Sequence, residues 1–89
     1  MVLNDFMDYL VIVQKIHYGR QLIYRFGDYG LSILEEPIGD GPIYNSAVIK
    51  FKGANHIYDV VSKDVVSDDE NKIVELLMAL RKLDKQKVI

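Results

Sequence analysis

Gln21–Leu34, QLIYRFGDYGLSIL, sets two runs rich in Leu, Ile, Tyr and Phe on either side of Gly27-Asp28-Tyr29-Gly30. Apolar, partly alternating runs joined by a Gly-Asp cluster are the short-range pattern of a β-hairpin. Glycine adopts the positive φ that a tight hairpin turn requires, and an aspartate side chain bonds to backbone amides close by. The stretch predicts an antiparallel sheet, and the rest of the chain is read around it.

Downstream, Glu35-Glu36-Pro37 ends the hairpin, since proline offers no amide to a strand ladder. Residues 37–43, PIGDGPI, contain both prolines and two glycines, and are expected to form a connecting loop anchored by Ile38 and Ile43. Tyr44–Phe51, YNSAVIKF, reads as a strand with Ala47, Ile49 and Phe51 on one face and Tyr44, Ser46, Val48 and Lys50 on the other. After the turn material Lys52-Gly53-Ala54-Asn55, His56–Val61 is expected to pair back as the next strand, with either Ile57 and Val61 or Tyr58 and Val60 inward. Ser67-Asp68-Asp69-Glu70 has the spacing of a capping box and predicts a helix beginning at Ser67. In that helix Ile73, Leu76, Leu77, Leu80 and Leu83 recur at three- and four-residue spacing, so one face packs on the sheet. Acids in the first turn and Arg81, Lys82 and Lys85 near the end suit the helix dipole. Gln86–Ile89 is expected to fray, with Val88 and Ile89 as apolar residues able to tuck in.

Upstream, residues 2–16 fit two patterns. Val2, Phe6, Leu10, Val13 and Ile16 fall near a helical stripe, whereas Tyr9–Val13 is apolar on every side and rich in β-branched residues. The second pattern predicts a strand over residues 9–16 behind a short turn or helix at 3–7. His17-Tyr18-Gly19-Arg20 is then a turn, and residues 9–26 form another hairpin. Together these elements predict one α+β domain over residues 1–89: an antiparallel sheet of four to five strands with one C-terminal helix packed on one face, in two layers. A single helix leaves the other face of the sheet to water or to a partner.

Composition narrows the function classes. With 89 residues, 49% of them hydrophobic and 27% charged, the chain has the make-up of one small globular domain. It has no cysteine, which excludes disulfides, thiolate metal sites and cysteine nucleophiles. No apolar run approaches the roughly 18 residues of a membrane span, and the opening Asn4, Asp5 and Asp8 differ from a signal peptide's basic start. No membrane partner is expected. The net charge of −2 conceals a gradient: residues 28–70 carry nine acidic and three basic side chains, and residues 71–89 carry two and five. An acidic middle argues against a general nucleic-acid binder, whose footprint is basic.

No catalytic or metal constellation is expected. His17 and His56 are the only histidines, and strand alternation sets positions 56 and 59 on opposite faces. Asp64, Asp68, Asp69 and Glu70 lack the glycine and spacing of a calcium loop. None of the four serines lies in a nucleophile elbow, there is no threonine, and no glycine loop opens a helix to cradle phosphate. The chain is therefore expected not to be an enzyme and to need no cofactor.

The aromatic set carries the better signal. Six tyrosines against three phenylalanines and no tryptophan give large contact area with polar tips. Tyr18, Arg20, Tyr24, Arg25 and Tyr29 are the candidate partner-binding residues, provided that the outward members share the uncovered face. The alternatives are tyrosines that rim the core with hydroxyls in water, and an Arg25 that serves only a cross-strand pair.

Tyr18-Gly19-Arg20, Tyr24-Arg25-Phe26-Gly27-Asp28-Tyr29-Gly30-Leu31-Ser32-Ile33, Tyr44, Ala47–Phe51, Tyr58-Asp59 and Asp64-Val65-Val66 occur in that order before a Leu-rich helix. In this the chain resembles a group of short uncharacterised proteins encoded by bacteriophages and prophages of Gram-positive bacteria. It departs from them in Ser67-Asp68, where a glycine is expected, and in a shorter loop at residues 37–43. The resemblance implies a phage setting and no assigned activity. The resulting expectation is a non-enzymatic accessory protein that acts in the host cytoplasm by binding a host or phage protein through the sheet face or an edge strand, as an inhibitor for example. A nucleic-acid-binding module using Arg20, Arg25, Lys50 and Lys52 with Tyr18 or Tyr44 is the alternative, and a homo-oligomer pairing through strand edges is a third.

Overall fold

The computed structural model describes residues 2–86. The expectation for Val88 and Ile89 lies outside them. A 3-10 helix, Val2–Tyr9, leads into β1 (Leu10–Ile16), β2 (Gly19–Phe26), β3 (Tyr29–Ile38) and β4 (Gly41–Phe51). Two three-residue strands follow, β5 (Tyr58–Val60) and β6 (Val65–Ser67), and then the helix α1 (Glu70–Gln86). The sheet is antiparallel in the order β1-β2-β3-β4-β5, with β6 also paired to β4. This is the expected α+β two-layer domain, and the N-terminal stretch divides as the β-branched run demands.

The hairpin expected over residues 21–34 forms as β2 and β3, with Phe26 opposite Tyr29 across a two-residue turn at Gly27-Asp28, so that Tyr29 and Gly30 belong to β3. Gly27 has φ 70° while Asp28 stays at negative φ, which places glycine at the one turn position that needs left-handed backbone. The register then sorts side chains by alternation. Leu22, Tyr24, Phe26, Leu31, Ile33 and Tyr44 form a buried cluster with Phe6 of the 3-10 helix and Ile73, Val74 and Leu77 of α1. The ring of Tyr9 lies 4.6 Å from that of Phe26 and closes one side of this core.

Three expectations are corrected. Residues 37–43 are not a loop: β3 and β4 continue as a hairpin to a two-residue turn at Gly39-Asp40, with Pro37 directly opposite Pro42. Counting from that turn, Ile38 and Gly41 are the hydrogen-bonding pair and the two prolines the non-bonding pair, so neither is asked for an amide toward the other. On its outer side Pro37 has no neighbour either, since β2 begins at Gly19 and its pairing with β3 starts at Arg20. Ile38, expected as an anchor, is 56% exposed.

The capping box is the second correction. α1 begins at Glu70, and Asp69 is its cap: the Asn71 amide donates to Asp69 Oδ1 at 2.9 Å, and the Lys72 amide donates to the Asp69 carbonyl at 3.1 Å. Ser67 ends β6 and accepts from the Asp69 amide at 3.0 Å.

The strand expected over residues 56–61 is the third. Only residues 58–60 pair as β5, and β6 takes up the same edge of β4 further along. Val60 faces Ile49 and Val65 faces Ser46, so five steps along this edge match three along β4, and two extra residues bulge. The bulge keeps the ladder alive with a side chain: the Val61 amide donates to the Val48 carbonyl at 2.9 Å, and the Val48 amide donates to Ser62 Oγ at 2.8 Å.

Candidate functional site: the uncovered face of the sheet

α1 covers one face of the sheet. On the other, alternation presents Ile12 and Gln14 of β1, Gln21, Ile23 and Arg25 of β2, Ser32 and Leu34 of β3, Asn45, Ala47, Ile49 and Phe51 of β4, Tyr58 and Val60 of β5 and Val66 of β6. Although no second layer covers this face, Ile23, Ile49 and Phe51 are buried, with Ile12 and Tyr58 packed against them. Long side chains lying across the strands provide the cover.

Arg25 is one of these. Its Cζ lies 4.4 Å from the centre of the Phe51 ring, its Nε donates to the Gly27 carbonyl at 2.7 Å, and its Nη1 lies 3.1 Å from His56 Nδ1. His56 holds φ 58°, a left-handed conformation uncommon for a side-chain-bearing residue, and its ring meets Phe51 edge-on at 5.9 Å. Gly30 makes room beneath: a Cβ there would run into the Tyr24 carbonyl and stand 2.7 Å from Phe51 Cε2.

Gln21 is the centre of a second group. It accepts from Gln14 Nε2 at 2.5 Å, and its own Nε2 donates to Ser32 Oγ at 3.0 Å and to the Tyr58 hydroxyl at 3.3 Å. One amide thereby ties β1, β2, β3 and β5 together. Beside it lies a shallow recess of about 210 Å³, lined by Gln21, Ser32, Leu34, Asn45, Ala47, Tyr58, Val60 and Asp64. Around the recess the same face exposes apolar surface, with Val60 58% and Val66 63% accessible. Amide, hydroxyl and carboxylate groups beside exposed valines suit binding by contact and hydrogen bonding.

The five residues singled out from the sequence do not share this face. Arg25 lies on it. Arg20, Tyr24 and Tyr29 alternate to the helix side, where Tyr24 is buried in the core. Tyr18 sits at the β1–β2 turn, 71% exposed, with its ring edge-to-face on His17 at 4.4 Å. The physical reason is the choice of strand face: Leu22, Tyr24 and Phe26 form the larger apolar set on β2, and the helix packs on it. Gln21, Ser32, Asn45 and Tyr58 were missed by sequence reasoning. Their signal is a polar residue recurring within otherwise apolar strands, and it has meaning only once the register is known.

On the helix side, Arg20 and Glu35 are register partners joined by an ion pair of 2.8 Å. The hydrogen bond to Glu35 raises the Arg20 pKa. Burial raises the phenol pKa of both Tyr24 and Tyr44, and the nearby carboxylates of Glu35 and Glu70 add to it while Arg20 opposes it. Glu70 Oε1 is buried there and has no hydrogen-bond partner among the described residues.

The basic residues proposed for nucleic acid do not line one groove. Arg20 is bound to Glu35, Lys52 pairs with Asp59 at 3.0 Å, Lys50 lies 5.7 Å from the centre of the Tyr29 ring, and Tyr44 is buried. Among the described residues there is no group of three or more His, Asp or Glu side chains placed to hold a metal ion, and no helix is long and apolar enough to cross a membrane. No family model, no curated protein and no solved structure matches this chain.

Proposed function

We propose that this chain is a non-enzymatic binding protein that docks on a protein partner through the uncovered face of its sheet. One observation carries the reading: exposed Val60 and Val66 lie on the same face as a recess bordered by Gln21, Ser32, Asn45, Tyr58 and Asp64. Apolar area rimmed by hydrogen-bonding groups is the make-up of a protein interface, and exposed valines sharing one face with such groups suit that kind of contact. The setting, a phage or prophage accessory protein acting on a host or phage protein in the host cytoplasm, comes from the resemblance of residues 10–83. Inhibition of the bound protein is the role proposed there, by analogy with other small phage proteins rather than from the fold.

The experiment is a tagged pull-down from bacterial lysate, with and without nuclease, read by mass spectrometry. One stoichiometric protein retained after nuclease supports the proposal. Loss of every specific partner on nuclease treatment transfers the assignment to nucleic acid.

A further inference from the structure

The apolar stripe of α1 does not seat evenly. Ile73 and Leu77 are fully buried, Leu80 is half-buried, and Leu83, two turns beyond Leu76, is 57% exposed. The second half of the helix thus leaves part of its apolar stripe uncovered beside the sheet. Between them lies a cleft of about 410 Å³, floored by Phe26, Tyr29 and Val48 and roofed by Leu76, Leu80 and Leu83. That volume lies within the range of small-molecule sites, roughly 300–1,000 Å³.

The mouth carries one acid. Asp84 continues the 73, 77, 80 spacing at the position where the repeat calls for another apolar residue. It borders the cleft and lies so close to the β2–β3 turn that a Cβ on Gly27 would run into its Oδ1. It makes no hydrogen bond or ion pair among the described residues. A carboxylate in the last turn also opposes the negative end of the helix dipole, so the fold gains nothing from it there. Tyr29, which lines the cleft, has Lys50 Nζ 5.7 Å from the centre of its ring.

The geometry points to a binding site for a small amphiphilic amine, with its apolar body between Phe26, Val48 and Leu80 and its ammonium at Asp84. The inference is independent of the partner-binding face, which lies on the other side of the sheet.

The test uses methyl NMR on the full chain titrated with phenylbutylamine, phenylbutanol and phenylbutyrate. Saturable shifts at Val48, Leu76, Leu80 and Leu83 are expected with the amine, with weaker binding of the alcohol and weakest of the carboxylate. Asp84→Asn should weaken the amine by about two- to fivefold, the worth of one accessible charge pair, and leave the alcohol unchanged. The same substitution should raise the thermal midpoint slightly, showing that the loss is not one of folding. Ala79→Phe, which fills the cleft from the helix side, should abolish binding of all three while the amide spectrum stays dispersed. Absence of saturable shifts with the amine, equal amine affinity in Asp84→Asn, or tighter binding of the carboxylate through Lys50 would each overturn the assignment.

Discussion

Arg25 holds its guanidinium carbon 4.4 Å from the centre of the Phe51 ring, on the side of the sheet away from α1. The same group binds the Gly27 carbonyl and contacts His56, so one side chain joins the β2–β3 turn, the end of β4 and the loop before β5. A guanidinium has no acceptor, so in this contact Arg25 is the donor and His56 Nδ1 the acceptor.

Arg25→Ala should therefore cost about 1 kcal/mol from the lost cation–π contact alone, measured by urea unfolding. Arg25→Lys should recover only part of it, because an ammonium cannot lie flat on the ring while reaching both Gly27 and His56. Full recovery by lysine would show that charge, not the planar fork, is what the site uses.

Leu77 is fully buried between α1 and the sheet. Leu77→Ala should cost roughly 2–5 kcal/mol through the cavity it leaves. Leu83→Ala, at an exposed position on the same helix, should stay within about half a kcal/mol. Equal effects at the two positions would contradict the uneven seating of α1.

The cap can be assigned by comparison. Asp69→Ala removes the acceptor of the Asn71 amide and should cost about 1 kcal/mol. Ser67→Ala should cost less, since Ser67 bonds an amide before the helix begins. The reverse order in chemical denaturation would restore Ser67 as the cap.

The buried phenol of Tyr24 gives stability a definite alkaline limit. Its pKa is raised above the ordinary value of 10.0, chiefly by burial. A raised folded-state pKa means that the unfolded chain releases this proton first, so the contribution is fully present below about pH 10 and is lost as pH rises through the folded value. Tyr24→Phe should flatten the fall in stability above about pH 10, and an unchanged pH profile would remove Tyr24 from the account.

The sheet was legible in the sequence because its signals are local. Gly27-Asp28 fixed the hairpin, the β-branched run after Tyr9 marked β1, and the spacing of Ile73 and Leu77 placed the helix. The misreadings share a cause: each hinged on what lies beside a residue in space. Pro37 and Pro42 have the composition of a loop, and only their cross-strand position opposite one another shows that neither owes the ladder an amide. Ser67 and Glu70 have the spacing of a capping box, but Ser67 pairs with Tyr44 as strand, which shifts the helix start to Glu70. The candidate site suffered most, since a one-residue alternation decides whether Arg20 or Gln21 faces the recess.

The most direct test of the binding face compares paired variants in the lysate pull-down after nuclease. Val60→Asp and Val66→Asp place a charge on the uncovered face, and Met78→Asp places one on the exposed side of α1. With all three shown to be folded by circular dichroism, a partner held by the unmodified chain should be kept by Met78→Asp and lost by both valine variants. Retention by the valine variants with loss by Met78→Asp would contradict this and transfer the interface to the helix.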